Sequence, residues 1–370
     1  MKIKILAFFL LGISSSIVLA KTQARLGLSD ATNPLLLTSD LAIPSQELSL
    51  EVLTESDFDL NESIFYYNTK LLGKTYSDKT VKANTEQIRL SGTVGLIAPV
   101  FRDLSLINFQ AQGQKILGRA LQINGASDGR NWSAGAVGAE LNLSTPILIG
   151  STAWITRFTL GYEDHLFDQD ELDEYATLSN SSHLNQSLKF ANEISLTSLT
   201  KLLATISRNL KDYRSRPSRF SDGRSDISLP SEKIQHDRFE IESRVEFDDL
   251  TLRVMLLQQT EADLRQSALD ATTNGGLISV QMTDFFGLKP LIQYSHETRK
   301  FKTFRAGNAA VQDLNAKRQD EVTSFNLKLS KLFKTFNLEL DIGQNQTDTN
   351  FRELKIKNQM TTLNFTKDIK

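Results

Sequence analysis

The stretch Phe336–Ile342 reads Phe-Asn-Leu-Glu-Leu-Asp-Ile, a strict alternation of apolar and polar side chains. Successive side chains point to opposite faces in a β-strand, so this stretch predicts a strand with one apolar face and one wet face. The same alternation returns about a dozen times after residue 80. We therefore expect an all-β chain, and both a soluble sandwich and a membrane barrel produce this pattern.

Strand-like segments come in pairs joined by short turns. Gln87–Ala98 and Leu104–Gln112, for example, are joined near Pro99. Long polar segments separate the pairs, at 113–131, 164–183, 213–236, 261–275, 299–320 and 345–358. Short turns that alternate with long loops are typical of transmembrane barrels, whereas sandwich loops are usually shorter. The rhythm predicts a single closed antiparallel barrel of about 14 strands (12–16) over residues 61–370, with periplasmic turns and external loops.

The N-terminus has the features of an export signal. Residues 1–20 contain two lysines, an apolar run over Ile5–Leu11 and the ending Val18-Leu19-Ala20. This pattern predicts a secretory signal peptide cleaved after Ala20 and hence export to the outer membrane. Residues 21–60 are interpreted as a periplasmic linker with room for a short helix or an extra strand.

Composition argues against several function classes. The chain has no cysteine, which rules out disulfides and thiol chemistry. Its formal net charge of −2 argues against a nucleic-acid partner. The sequence contains no nucleophile elbow, paired-histidine motif or P-loop. We expect no catalytic residues and no cofactor, although a hydrolase site assembled from distant strands remains an alternative.

One face of each strand is predicted to meet lipid. Trp154 and Tyr162 share a face and are separated by roughly 20 Å along the membrane normal at a tilt of about 40°. Two amphipathic aromatics at this distance suit an interface girdle that brackets the apolar band. The same face includes Phe158, Leu160, Ile194, Leu338 and Leu340. An arginine is therefore expected to be tolerated much better at Glu339 than at Leu338.

The opposite face is predicted to line a lumen. Segment 237–247 places Glu240, Glu242, Arg244 and Glu246 on one side, and such charges cannot line a dry core without pairing. They can line a wet interior, without a ring of one sign that would set ion selectivity. The predicted lumen-lining residues are Arg89, Arg157, Lys189, Glu193, Glu240, Glu242, Arg244, Glu246, Arg253, Lys328, Glu339 and Asp341.

The loops carry weaker signals. Loop 163–174 is acidic, and Asp168, Asp170 and Asp173 are candidate ligands for a hard cation such as calcium, beside the interpretation as a solvated surface loop. The function that these patterns favour is a passive pore or small-solute transporter. A non-conducting structural or adhesive barrel and a membrane-embedded hydrolase are the alternatives. The expected partners are outer-membrane lipid, lipopolysaccharide and the barrel assembly machinery.

Over residues 60–370 the chain resembles outer-membrane β-barrels of Gram-negative bacteria. Its last stretch, from Thr349 to Lys367, places an Asn-containing loop before a strand that carries Phe365 near its end. In this it resembles the closing strand of surface lipoprotein assembly modifier barrels. The chain lacks the helical repeats that precede those barrels, and it ends on Lys370 rather than on an aromatic residue. The resemblance implies an outer-membrane barrel fold and assigns no functional residue.

Overall fold

Sixteen antiparallel strands form one closed barrel in the part of the chain that the structure describes. The computed structural model describes residues 21–32, 44–60, 62–77, 87–101, 105–119, 131–149, 152–167, 182–217, 230–265, 269–305, 317–350 and 355–369. The strands are β1 (Lys21–Ala31), β2 (Ser45–Leu60), β3 (Ser63–Tyr76), β4 (Gln87–Val100), β5 (Ser105–Arg119), β6 (Asn131–Ile149), β7 (Thr152–Phe167), β8 (His183–Ser195), β9 (Thr200–Pro217), β10 (Ser231–Glu246), β11 (Leu250–Asp263), β12 (Ala271–Met282), β13 (Lys289–Arg305), β14 (Lys317–Leu332), β15 (Asn337–Thr349) and β16 (Lys355–Ile369).

Each strand pairs with the next one along the chain, and β1 pairs with β16 to close the ring. Because the number of strands is even, the start of β1 and the end of β16 meet at one rim, where Thr22 lies opposite Ile369. This rim also holds the short connections, such as 247–249 between β10 and β11. We call it the short-turn rim. The opposite long-loop rim holds longer connections, such as 168–182 and 218–230.

The N-terminal part of the chain brings the strand count to sixteen, the upper end of the predicted range. Fourteen strands follow from Ser63 onward as expected, but β1 and β2 add two more. Residues 21–60, interpreted as a linker with room for a short helix or an extra strand, thus contain two strands of the barrel wall. The two large apolar side chains on the outer face of β1, Leu26 and Leu28, give an alternation too short to recognise in the sequence. Residues 1–20, the predicted signal peptide, lie outside the described residues.

The strand registers fix the dimensions of the barrel. If residue pairs are followed from strand to strand once around the ring, the path returns to β1 about 20 residues away from where it started. A stagger of this size corresponds to a strand tilt of about 40° and to a wall-to-wall diameter of about 30 Å. Side chains alone do not fill a barrel of sixteen strands. No helix among the described residues has the length and hydropathy needed to cross a membrane.

The two faces of the barrel wall differ sharply in burial. Large apolar side chains such as Leu256 and Val137 are mostly exposed, whereas the carboxylates of Glu242 and Glu339 are buried. A closed ring crowds its inner side chains together and spreads its outer ones apart. The apolar set is therefore the outer face and the charged set the inner wall.

The inner wall as the candidate functional site

The structure places the twelve residues predicted to line the lumen on the inner wall. On β10, Glu242 pairs in register with Leu203 of β9 and Met255 of β11, while the neighbouring Ile241 is exposed on the outer face. Strand pairing in register puts predicted residues on β4, β7, β8, β11, β14 and β15 on the same inner face: Arg89, Arg157, Lys189, Glu193, Arg253, Lys328, Glu339 and Asp341.

A chain of alternating charges crosses β9, β10 and β11. Glu242 accepts hydrogen bonds from Arg253 at 2.7 Å and from Arg244 at 3.1 Å. Arg244 also lies 4.0 Å from Glu246, which in turn accepts from Lys201 Nζ at 3.1 Å. The row of charges predicted along β10 is therefore paired, and the pairing offsets part of the cost of desolvating Glu242.

A second cluster joins β14, β15, β16 and β1. Glu339 accepts from Arg25 at 2.7 Å, lies 2.6 Å from Lys328 Nζ and accepts from the Asn364 amide at 3.3 Å. An arginine at position 339 would therefore add a third cation beside Arg25 and Lys328. This arrangement changes the expectation that Glu339 tolerates arginine well, because facing the lumen does not leave its carboxylate unpaired.

Several inner-wall ion pairs involve residues that the sequence analysis missed. Glu47 and Glu51 belong to β2, which was not assigned to the barrel, although Glu47, Ser49 and Glu51 alternate with leucines in the sequence. Further inner-wall pairs with a lysine or arginine include Lys74–Glu47 at 2.9 Å, Lys70–Glu51 at 2.7 Å, Arg157–Glu193 at 2.9 Å, Arg299–Glu261 at 2.5 Å, Arg318–Asp320 at 2.8 Å and Arg238–Glu240.

A tyrosine on the inner wall connects β3, β4 and β5. The Tyr66 hydroxyl, from β3, lies 3.0 Å from Asn108 Oδ1 and 3.1 Å from Gln110 Oε1 on β5, and it donates its proton to either oxygen. To reach them, the ring crosses Gly95 on β4, where an added Cβ would lie 2.3 Å from the ring carbon that bears the hydroxyl. Only glycine fits under this ring.

Inner side chains near the long-loop rim are covered. Ala271 and Phe301 are buried and pack with Leu269. Glu232 and Asp263 are also buried at this end of the wall. At the long-loop rim, some inner side chains are therefore covered by other side chains and not by solvent.

The structure describes the two predicted girdle residues but not the three predicted metal ligands. Trp154 and Tyr162 share the outer face of β7, where the Trp154 indole donates to Asn192 Oδ1 at 3.0 Å. Asp168, Asp170 and Asp173 lie outside the described residues. Within the described ranges, no group of three or more histidine and acidic side chains is placed to hold a metal ion.

Several solved structures are similar to this chain at low sequence identity. OccAB2 from Acinetobacter baumannii is 9% identical with a TM-score of 0.50, over 95% of this chain and 98% of that one. A loop L8 deletion mutant of OmpT, an outer membrane protein of Vibrio cholerae, is 8% identical with a TM-score of 0.49, over 96% of this chain and 100% of that one. CdiB from Acinetobacter baumannii is 10% identical with a TM-score of 0.49 over 94% of this chain, which spans 60% of CdiB.

Neither a family model nor a curated protein matches the sequence. The likeness to OccAB2, at 9% identity, shows the fold of a closed β-barrel and nothing finer.

Proposed function

We propose that the protein is a β-barrel of the bacterial outer membrane whose interior is a passive pathway for small solutes. The proposal has two parts, a membrane location and a water-filled interior. Each rests on a different face of the barrel wall. Lipid, lipopolysaccharide and the barrel assembly machinery are the partners that such a location entails.

The outer face supports the membrane location. Each of the sixteen strands presents at least one exposed large apolar side chain outward, from Leu26 on β1 to Leu363 on β16. Soluble monomers rarely expose continuous apolar patches larger than a few hundred Å². A girdle around the full circumference needs a solvent that is itself apolar and surrounds the barrel, and a lipid bilayer meets both conditions.

The height of this apolar band also fits a bilayer when the band is measured from the short turns. On β10, outward apolar residues run from Phe239 to the exposed Phe247 in the turn, about 20 Å along the membrane normal at the barrel's tilt. The next outward residue, Asp237, forms an ion pair with Arg208 at 2.6 Å and ends the girdle. Outer-membrane barrels present an apolar band of about 25 Å. The short turns would thus lie at the membrane interface, while the long-loop ends of the strands project into water.

The inner wall supports the solute pathway, and one observation carries this part of the proposal. A barrel about 30 Å across carries charged and amide side chains on the inner wall of nearly every strand. Buried charges without water or full pairing are expensive. Water inside the barrel solvates the partly exposed bases and amides, and a water-filled barrel conducts small solutes.

Conductance of the purified protein in planar bilayers tests the proposal. Stepwise openings are expected, and the protein should fractionate with the outer membrane and show heat-modifiable gel mobility. A protein recovered from the soluble periplasm would contradict the membrane location. Hydrolysis of a lipid or ester substrate by the purified barrel would favour the hydrolase alternative.

The covered long-loop rim favours a second candidate, a closed structural barrel. Phe301 and Ala271 are buried against Leu269 on the inner side of the wall, so other side chains cover the wall at this end of β12 and β13. A folded, membrane-inserted barrel that stays silent across a range of voltages would support this candidate and contradict the pore.

A further inference from the structure

The inner-wall ion pairs share an asymmetry in exposure. The Arg244 side chain is 43% exposed while its partner Glu242 is 7% exposed, and Arg25 is 39% exposed against 10% for Glu339. Arg299 and Glu261 differ in the same way, at 34% and 8%. The base is also the more exposed partner in the described pairs formed by Lys70, Lys74, Arg157, Arg238, Arg253, Arg318 and Lys328.

Side-chain length explains this arrangement. Arginine and lysine reach further from the backbone than aspartate and glutamate, so on a concave wall the base extends over the acid toward the barrel axis. The carboxylates stay near the wall, where they accept hydrogen bonds from neighbouring strands, as Glu339 does from Asn364. The wall therefore has two layers, acids next to the backbone and cationic groups facing the lumen.

We propose that the lumen presents a cationic surface and that the barrel passes small anionic solutes, such as carboxylates and phosphates, in preference to cations. This inference rests on the proposed pore. The chain has nearly equal numbers of acidic and basic residues, so its composition does not reveal the charge of the lumen surface. The buried acids contribute little to the charge at that surface. Arginine also binds carboxylate and phosphate through two parallel N–H···O hydrogen bonds, and chloride cannot form this paired interaction.

Among the inner-wall pairs formed by lysine or arginine, the exceptions lie at one end of the barrel. Lys201 and Glu246 are equally exposed, and Lys21 and Glu55 also form an open pair. These residues lie at or near the short-turn rim, together with the exposed Asp57 and Asp59 on β2. The cationic surface thus belongs to the interior of the barrel and not to this mouth, so selection would occur inside.

Lys189 offers a variant that leaves every described ion pair intact. It is exposed on the inner wall of β8, between Thr159 of β7 and Ser207 of β9, and the described residues include no ion pair for it. Arg238 lies on the other side of Ser207. Lys300 provides the matched control, because it is exposed on the outer face of β13 near the long-loop rim.

Reversal potentials in a KCl gradient test the inference. The wild-type barrel should pass chloride over potassium by about threefold or more, since a surface potential of a few kT concentrates counter-ions by at least this factor. Lys189→Glu should lower the ratio, and Lys300→Glu should leave it unchanged. A conducting barrel that prefers potassium would overturn the inference but leave the pore in place. A silent barrel would overturn the pore.

A thiol probe reports on the lumen surface whether or not the barrel conducts. The chain has no cysteine, so Ser207→Cys introduces a single thiol between Lys189 and Arg238. A negatively charged methanethiosulfonate should modify it about threefold faster than a positively charged one, relative to the same two reagents acting on mercaptoethanol. Equal rates, faster reaction with the cation, or no reaction with either reagent would contradict a cationic, water-exposed lumen.

Discussion

Replacing Glu339 with glutamine should destabilise the barrel more than the loss of an ordinary surface ion pair. Glu339 is buried and is shared by Arg25 at 2.7 Å and Lys328 at 2.6 Å. Removing its charge takes away the buried carboxylate that both cations share, and only Asp341, opposite Lys328 in register, remains as a nearby negative charge. Breaking a buried ion pair costs about 3–5 kcal/mol in a dry interior. Both bases are more than a third exposed, so water solvates them in part. We therefore expect a loss of about 2–3 kcal/mol in the free energy of unfolding.

Denaturant titration of the barrel in lipid vesicles, followed by gel mobility of the folded band, measures this loss. Glu55→Gln is the matched control, because Glu55 pairs with Lys21 at 3.6 Å and both side chains are about half exposed. This control should cost less than about 1 kcal/mol. Adding Arg25→Gln to Glu339→Gln should recover part of the lost stability, because it removes the base whose one described ion pair is with Glu339. Equal costs for Glu339→Gln and Glu55→Gln would refute the reasoning.

Three other outcomes follow from the two faces of the wall. Leu338→Arg should cost roughly 2–4 kcal/mol in vesicles if its side chain meets lipid near the midplane, and a smaller cost in the same titration would place it elsewhere. Tyr66→Phe should lose about 1 kcal/mol, because only its hydroxyl bonds are removed, whereas Gly95→Ala should cost more by forcing the ring off the wall. A fluorophore attached at Phe286→Cys should emit as if in an apolar surrounding in vesicles, and an emission typical of water would show that the short turns lie outside the membrane.

Local sequence was enough to predict the strands and their faces. Alternation with a period of two is a property of each strand alone, so Leu338 and Glu339 could be assigned to opposite faces without knowing their neighbours. The pairing of strands by short turns also follows from local sequence, and it gave the fourteen strands from Ser63 onward. It failed for β1, whose eleven residues carry few large apolar side chains and whose place in the barrel depends on pairing with β16.

The tertiary structure determined ring closure and the arrangement of the inner charges. Arg25 and Glu339 are far apart in sequence and meet only because β1 joins β16. The sequence also could not show which of two inner charges is the more exposed. Arg244 and Glu242 lie on the same face of one strand, and the alternation pattern treats them alike. Their different exposure arises from side-chain length on a concave wall, and that curvature exists only once all sixteen strands have closed into a barrel.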